Sequence, residues 1–494
     1  MRKNRETLAV VLVSVIVAFI FLLNSPIHPW RCAPTGTDSS VFKTVAFMMD
    51  KGYVPYRDSF DHKGPLLYVI NYWGQLVAYY RGVWVFEMAG MTLTFIMLYK
   101  IARLKASISS SVIIVLMALS MLFGFFEGGN FTEEYAMPFI AIGVYVFLDY
   151  LLNDNKSYVR IIMSGVSMGA VCLLRPNMIA IWVVFGMAIL FIKIREKAWK
   201  ELNVLAFYFL AGFFVAVVPF VIWLSMNGAL SDCIKDYIVF NAQYCSASGG
   251  RAFFSAKWSS FFFWMSQSVY VMAFVGIFYN LKKDVFLNIV YVVYLLVNPL
   301  FLCMSGQVYG HYGMVLIPAV AYPLSLIAED IESVSDKKMG NVTKMLVGIY
   351  LVSAVLVPVS LDTIKKIPTN YAHQGQNQFD QTTKDVCQVI TRLTKADDGI
   401  SVYGNRDIYY VWARRKHATK YSYQSPIGQV MPKIKEEYMQ QLAEELPLVI
   451  VVQKGRYDKN ISGFLKEHQY TKVWSEGGLD YQKSTLVFYR PKNL

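Results

Sequence analysis

The sequence predicts an α-helical polytopic membrane protein with about eleven transmembrane helices and a small extracytoplasmic C-terminal α/β domain. Three observations predict it. Of 494 residues, 55% are hydrophobic and only 16% charged, where a soluble chain carries about 25% charged residues. Apolar runs recur from Leu8 to Leu361. After Asp362 the composition becomes that of an ordinary soluble domain, so the expected domains are 1–361 and 362–494.

A helix needs about 20 apolar residues to cross the hydrocarbon core. The first run, 8–23, follows a basic start (Arg2, Lys3, Arg5) and resembles a signal peptide. No small-residue cleavage site follows it, which makes it an uncleaved span. Further spans are expected at 83–99, 108–126, 135–152, 159–174, 177–194, 204–225, 259–279, 285–303, 311–328 and 342–361. Orientation follows from the Lys/Arg bias of short loops. One set holds Lys100, Arg103 and Lys105; Lys156 and Arg160; Lys193, Arg195, Lys197 and Lys200; Lys282 and Lys283; Lys337, Lys338 and Lys344. On the other side, 125–134 and 304–310 hold no basic residue, and 175–177 holds only Arg175. The N-terminus is therefore expected in the cytoplasm, with two long loops, 24–82 and 226–258, and the C-terminal domain outside. The net charge of +13 is then a topology signal, not the footprint of a nucleic-acid-binding face. There are six Cys and no CxxC pair. Cys172 and Cys303 lie in apolar runs, while Cys233 and Cys245 would pair only in an oxidising compartment.

Within the first long loop, Thr37-Asp38 precedes apolar residues at Val41, Phe42, Val45, Ala46, Met48 and Met49, closed by Gly52. That spacing predicts an amphipathic helix at the membrane surface. Lys63-Gly64-Pro65 opens a second helix, about 66–80, with proline at its favoured first position. In the C-terminal domain, 384–394 and 433–445 read as helices, and 400–403, 448–452, 470–474 and 485–490 as strands. Such alternation predicts an α/β layer structure. It contains no GxGxxG or P-loop, so a nucleotide site has no local support.

Ionisable residues gather on the expected outer face, near the aqueous ends of spans, where they avoid most of the cost of a charge at mid-membrane. Asp38 has two readings. It caps the helix that follows, or it is a general base at the mouth of a cavity. Arg57, His62 and Lys63 lie just before a helix N-terminus, the kind of place that binds phosphate, or they form a polar surface turn. Glu133 and Glu134 follow Gly128-Gly129-Asn130. Asn130 with Glu133 fits a capping box variant. The paired carboxylates would otherwise position a sugar or hold a divalent metal, though their spacing matches no metal-ligand motif. Arg175 and His311 each suit an interfacial anchor or a phosphate partner.

Several stretches then resemble a family. They are the acidic residue after the first span, YRDSFDHKGPLLY at 56–68, NFTEEYAMPF at 130–139, LLRPN at 173–177 and HYGMVLIP at 311–318. Their order and sidedness are similar to those of the bacterial GT-C membrane glycosyltransferases. The nearest branch is that of the lipopolysaccharide core, aminoarabinose and mannosyl transferases. The resemblance covers about 1–361. It implies an inverting transfer of sugar from a polyprenyl-phosphate donor to a cell-envelope glycan or lipid acceptor, on the outer face of a bacterial cytoplasmic membrane. It assigns Asp38 as base or acceptor-positioning group, Glu133 and Glu134 as the acidic pair opening the fourth span, and Lys63, Arg175 and His311, with Arg57 and His62, to the donor phosphate. Many relatives carry an acidic pair after the first span, whereas Asp38 is followed by Ser39 and Ser40. That departure favours a metal-independent step. The partners so implied are the lipid-linked sugar, its acceptor and membrane lipid. Two other classes compete: a flippase for lipid-linked sugars, and a non-catalytic subunit of a cell-envelope assembly pathway. Neither an internal repeat nor charge at the span centres supports transport.

Overall fold

The computed structural model describes residues 2–29, 36–247, 251–304, 309–334, 380–477 and 480–491. Contacts sort the chain into two units. One comprises Met1–Ser25, Val85–Ile222 and Gly249–Ala372, the other Pro26–Trp84, Trp223–Ser248 and His373–Leu494.

The first unit is helical. Among the described residues of the chain, seven helices are long and apolar enough to cross a membrane: Arg5–Leu22, Trp84–Ala102, Ile108–Phe125, Thr132–Asn153, Trp199–Met226, Val285–Cys303 and Gly310–Ser333. Each coincides with an expected span. The spans expected at 159–174 and 177–194 are shorter apolar helices, Tyr158–Leu174 and Ala180–Arg195, separated by a 3₁₀ turn at Pro176–Met178. The span expected at 259–279 is a broken pair, Lys257–Met265 and Ser268–Tyr279, bent by 70°. The run 342–361 lies outside the described residues. A helix suits this setting because it satisfies its own backbone where no water can. Trp199–Met226 leaves Phe207 and Val215 about two-thirds exposed, 68% and 65%, an apolar surface that lipid covers. It meets Tyr158–Leu174 through glycines. A Cβ on Gly165 would lie 2.0 Å from the Phe209 carbonyl oxygen, and one on Gly212 2.1 Å from that of Ile162. Only hydrogen at those positions permits so close an approach.

The second unit joins the two long loops to the C-terminal domain. Its sheet contains β1 (Gly399–Tyr403), β2 (Lys416–His417), β3 (Val449–Val452), β4 (Thr471–Ser475) and β5 (Leu486–Tyr489), in the order β2-β1-β3-β5-β4. β1 runs parallel to β2 and β3, while β5 is antiparallel to β3 and β4. Val449 to Val452 are all buried, as expected of a strand covered on both faces. Helices Gln381–Leu393 and Pro432–Glu445 stand where the pattern predicts them, and Ile408–Ala413 and Lys459–Glu467 add to them.

The first long loop forms both expected helices, Thr37–Asp50 and Pro65–Val77, the latter with Pro65 at its first position. The first of them differs from expectation in its surroundings. It is buried on every side from Ser39 to Met48, not half-exposed. It packs on Pro65–Val77 and on Ile408–Ala413. Thr44 Oγ1 donates to the Asp407 carbonyl (3.3 Å), and the Lys43 ammonium donates to the Tyr80 carbonyl. These partners satisfy polar groups that the spacing alone assigns to water.

Candidate functional site

In the helical unit, the turn Gly128-Gly129-Asn130 has positive φ at all three residues (100°, 84° and 62°). Glycine tolerates that geometry and asparagine is the next best choice. The turn delivers the chain to helix Thr132–Asn153, whose first turn carries both glutamates. They do different jobs. Glu134 Oε2 accepts the Asn130 backbone N–H (2.7 Å). That is the back-reaching half of a capping box, one residue later than the sequence spacing suggests. Glu133 pairs with Arg175, which is 13% exposed and also lies 4.0 Å from the centre of the Tyr312 ring. Close by in sequence, Glu127 Oε2 meets His311 Nδ1 at 2.7 Å. The His311 ring stacks on Phe131 (4.0 Å) and on Tyr309 (5.6 Å). Arg175 and His311 are thus each held by a carboxylate and an aromatic face. The structure brings Glu133 to Arg175, while His311 takes Glu127, a residue absent from the expected site.

In the second unit, Asp38 lies in the first turn of helix Thr37–Asp50, whose N-cap is Gly36. Among the described residues its carboxylate has no hydrogen-bond or ion-pair partner, so it is not spent on capping. It lies close enough to Tyr423 to act on the charge of that hydroxyl. Arg57 is occupied: its Nη2 pairs with Asp58 (2.7 Å) and its Nη1 donates to the Asn227 carbonyl (2.8 Å). Lys63 Nζ lies 3.2 Å from His62 Nε2 and has no carboxylate partner among the described residues. The His62 ring stacks on Tyr244 (6.3 Å), and its carbonyl accepts from Asn241 Nδ2 (2.7 Å). Asn241 follows the π-helical turn Ile234–Val239 of the second long loop, a local geometry frequent at functional sites.

Asp61, within the same run, is the residue the sequence reading undervalues. It is 2% exposed. Its Oδ1 accepts from Tyr423 (2.8 Å) and from the His62 N–H (2.8 Å), and its Oδ2 accepts from Tyr68 (2.9 Å). Burial pushes its carboxyl above the usual carboxylate range, against the pull of Lys63 and these donors. Asp407 follows the same pattern. Burial pushes its carboxyl up to about 7, with Ser422 Oγ donating to it at 2.5 Å. Tyr423 stands 362 residues from Asp61, and no local pattern announces such a partner. Ser59 Oγ donates to His417 Nε2 (2.8 Å), whose Nδ1–H donates to the Thr419 carbonyl (2.6 Å). Burial lowers that imidazole to about 4, so it is neutral and serves as a latch. Among the described residues no group of acidic, histidine or cysteine side chains is arranged to hold a metal ion.

Residues 2–359 match the family model described as "Putative competence-induced protein Ccs4 N-terminal domain". No curated protein matches the chain in sequence. Two solved structures of ArnT from Cupriavidus metallidurans are similar in fold. The structure with undecaprenyl phosphate bound has a TM-score of 0.60 at 13% identity, covering 97% of both chains. The apo structure has a TM-score of 0.55 at 12% identity, covering 99% of this chain and 98% of that one. Likeness of this kind shows a fold: an ArnT-like arrangement of apolar helices with a small α/β sheet at the C-terminal end.

Proposed function

The chain belongs to the Ccs4 N-terminal domain family, and we propose that it is a membrane glycosyltransferase. It moves a sugar from a polyprenyl-phosphate donor to a cell-envelope glycan or lipid acceptor at the outer face of a bacterial cytoplasmic membrane. The observation that carries this reading is the ArnT-like fold over 97% of both chains, in a neighbour whose structure holds undecaprenyl phosphate. Fold alone does not fix chemistry, so the assignment rests on what the side chains can do.

An acceptor hydroxyl attacks the anomeric carbon from the face opposite the phosphate. The bond from that carbon to the phosphate oxygen breaks, its electron pair leaves with the polyprenyl phosphate, and configuration inverts. Asp38, unpartnered among the described residues, takes the hydroxyl proton. Lys63, which makes no ion pair among the described residues, offsets charge growing on the leaving phosphate, with His62 beside it. Fixed cations aimed at developing charge supply the largest share of catalysis in many enzymes. In the helical unit, Arg175 and His311 are the groups whose chemistry suits a phosphate. A carboxylate takes at most two of the five guanidinium N–H groups, which leaves Arg175 with donors to spare. Arg57 contributes least, because Asp58 already occupies it. Glu133 sets the orientation of Arg175, and Glu134 acts through the helix cap. No step here needs a nucleotide or a metal.

The test is sugar transfer by the full chain in liposomes, with polyprenyl-phosphate sugars as donors. Wild type should turn over, and Asp38→Asn should lose roughly 10²–10⁴-fold while its unfolding temperature holds, the usual worth of a general base. Full activity in Asp38→Asn would remove Asp38 from the mechanism. A wild type inert toward every such donor would move the reading to carriage of lipid-linked sugar or to a non-catalytic assembly role.

A further inference from the structure

The C-terminal α/β domain contains a cavity of about 590 Å³ that sugar transfer as described above does not use. It lies at the carboxyl ends of β1 and β3, lined by Tyr403 at the end of β1, by Gly404 just after it and by residues 455–459 after β3. The strand order reverses here: from β1 the chain goes to β2 on one side, then returns to β3 on the other. Connections that leave in opposite directions part from each other, so a crevice remains between their loops.

The walls are built, not incidental. Gly404 has φ +149°, and a Cβ there would lie 2.3 Å from Gln453 Oε1. The same Gln453 oxygen accepts the Asn405 N–H (2.6 Å), and Gln424 Oε1 accepts the Gly404 N–H (3.0 Å). Asp458, the carboxylate lining the cavity, is fully engaged. Its Oδ1 caps helix Lys459–Glu467 by accepting from Asn460 N (3.0 Å) and Ile461 N (3.1 Å). Its Oδ2 accepts from Lys435 Nζ (2.6 Å) and from the Tyr403 hydroxyl (2.8 Å). The cations Arg456 and Lys459, also in the lining, have no ion-pair partner among the described residues. Ser425 lines the same space. It is 8% exposed, and its buried hydroxyl has no hydrogen-bond partner among the described residues. A buried hydroxyl left unpaired is costly, and a ligand oxygen would relieve it.

These features select a chemistry. The aromatic ring of Tyr457, amide groups at Gln429 and Gln482 and the Ser425 hydroxyl suit a sugar ring with its edge of hydroxyls. Stacking on Phe488 (6.2 Å) and edge contact with Tyr481 (5.0 Å) fix the Tyr457 ring. Two cations without an ion-pair partner among the described residues add a demand for negative charge. We propose that the cavity is a binding site for an anionic saccharide, a sugar unit that bears a carboxylate or a phosphate. The proposal is independent of whether the chain transfers sugar.

Calorimetry on the full chain in detergent tests it with four probes: glucuronate, glucose 1-phosphate, glucose and inorganic phosphate. At least one anionic sugar should bind saturably and at least tenfold more tightly than glucose. Which of the two binds distinguishes a carboxylate from a phosphate as the charged group. Arg456→Ala/Lys459→Ala should weaken that binding more than tenfold with the unfolding temperature unchanged, and Ser425→Ala should weaken it several-fold. The proposal is overturned if neither anionic sugar saturates, or if binding survives the double substitution. Inorganic phosphate binding as tightly as glucose 1-phosphate would overturn the saccharide assignment too.

Discussion

The acids singled out in the helical unit and those singled out in the other unit are partnered differently. In the helical unit, Glu133 is matched by Arg175, Glu127 by His311, and Glu134 by backbone N–H groups of its own helix start. In the other unit, Asp38 has no partner among the described residues. Asp61 and Asp407 are dressed chiefly by neutral hydroxyl and N–H donors. Full compensation is what an apolar setting demands of a charge. Burial outweighs those neutral donors and raises both carboxyls above the usual carboxylate range, that of Asp407 to about 7. The lesson is that pairing marks the acids that organise structure, and its absence marks the acids available for chemistry.

The sharpest way to break this contrast is Asp38→Asn against Glu134→Gln. The first should cost transfer roughly 10²–10⁴-fold, and the second should leave activity within a few-fold. Comparable losses in the two would erase the distinction. Next in size, Arg175→Ala takes the ion-pair partner from the buried Glu133 and should cost about 3–5 kcal/mol in unfolding stability. The double variant Arg175→Met/Glu133→Gln should recover most of that, as read by thermal unfolding in detergent.

A smaller effect depends on pH. The Asp407 carboxyl, raised to about 7 by burial, takes up a proton on folding. The stability it contributes is complete below the ordinary carboxylate range and fades as pH rises toward about 7. Asp407→Asn does not titrate there. It should unfold at a higher temperature than wild type at pH 8, with the difference closing toward pH 4. A gap independent of pH would show that the carboxyl stays ionised throughout. Smallest of all, Glu134→Ala should cost about 0.5–2 kcal/mol, the worth of a helix cap. A loss as large as that of Arg175→Ala would mean that Glu134 carries a paired charge after all.

Much of the fold is legible in the sequence because a spanning helix must be written as one contiguous apolar run, and ten of the expected spans have helices at their positions. Pro65 and the valines of β3 are similarly local signals. What stays hidden is set by distance along the chain. Nothing near Lys43 or Thr44 says that their helix is covered on all sides, because the Asp407 carbonyl that receives Thr44 lies 363 residues away. β2 has two residues, too few for any alternation to show. At the candidate site, the ionisable residues of 56–65 and 127–134 are legible as types, while their partners are not. The division of labour between Glu133 and Glu134 is not legible either, since it turns on the left-handed turn at 128–130.

The pairing of Asp61 with Tyr423 also bears on how the protein is made. Synthesis delivers Asp61 early and Tyr423 near the end, with most of the helical unit between them. Until the last segment emerges, the 26–84 region lacks the partners that bury it, and loop closure across so many residues is slow to nucleate. A chain stopped at residue 361 would leave Asp61 without Tyr423 and the buried face of helix Thr37–Asp50 open. Quality-control proteases should therefore find such truncated chains through the first long loop rather than through the new C-terminus, and cleavage mapped to 37–63 would be the signature.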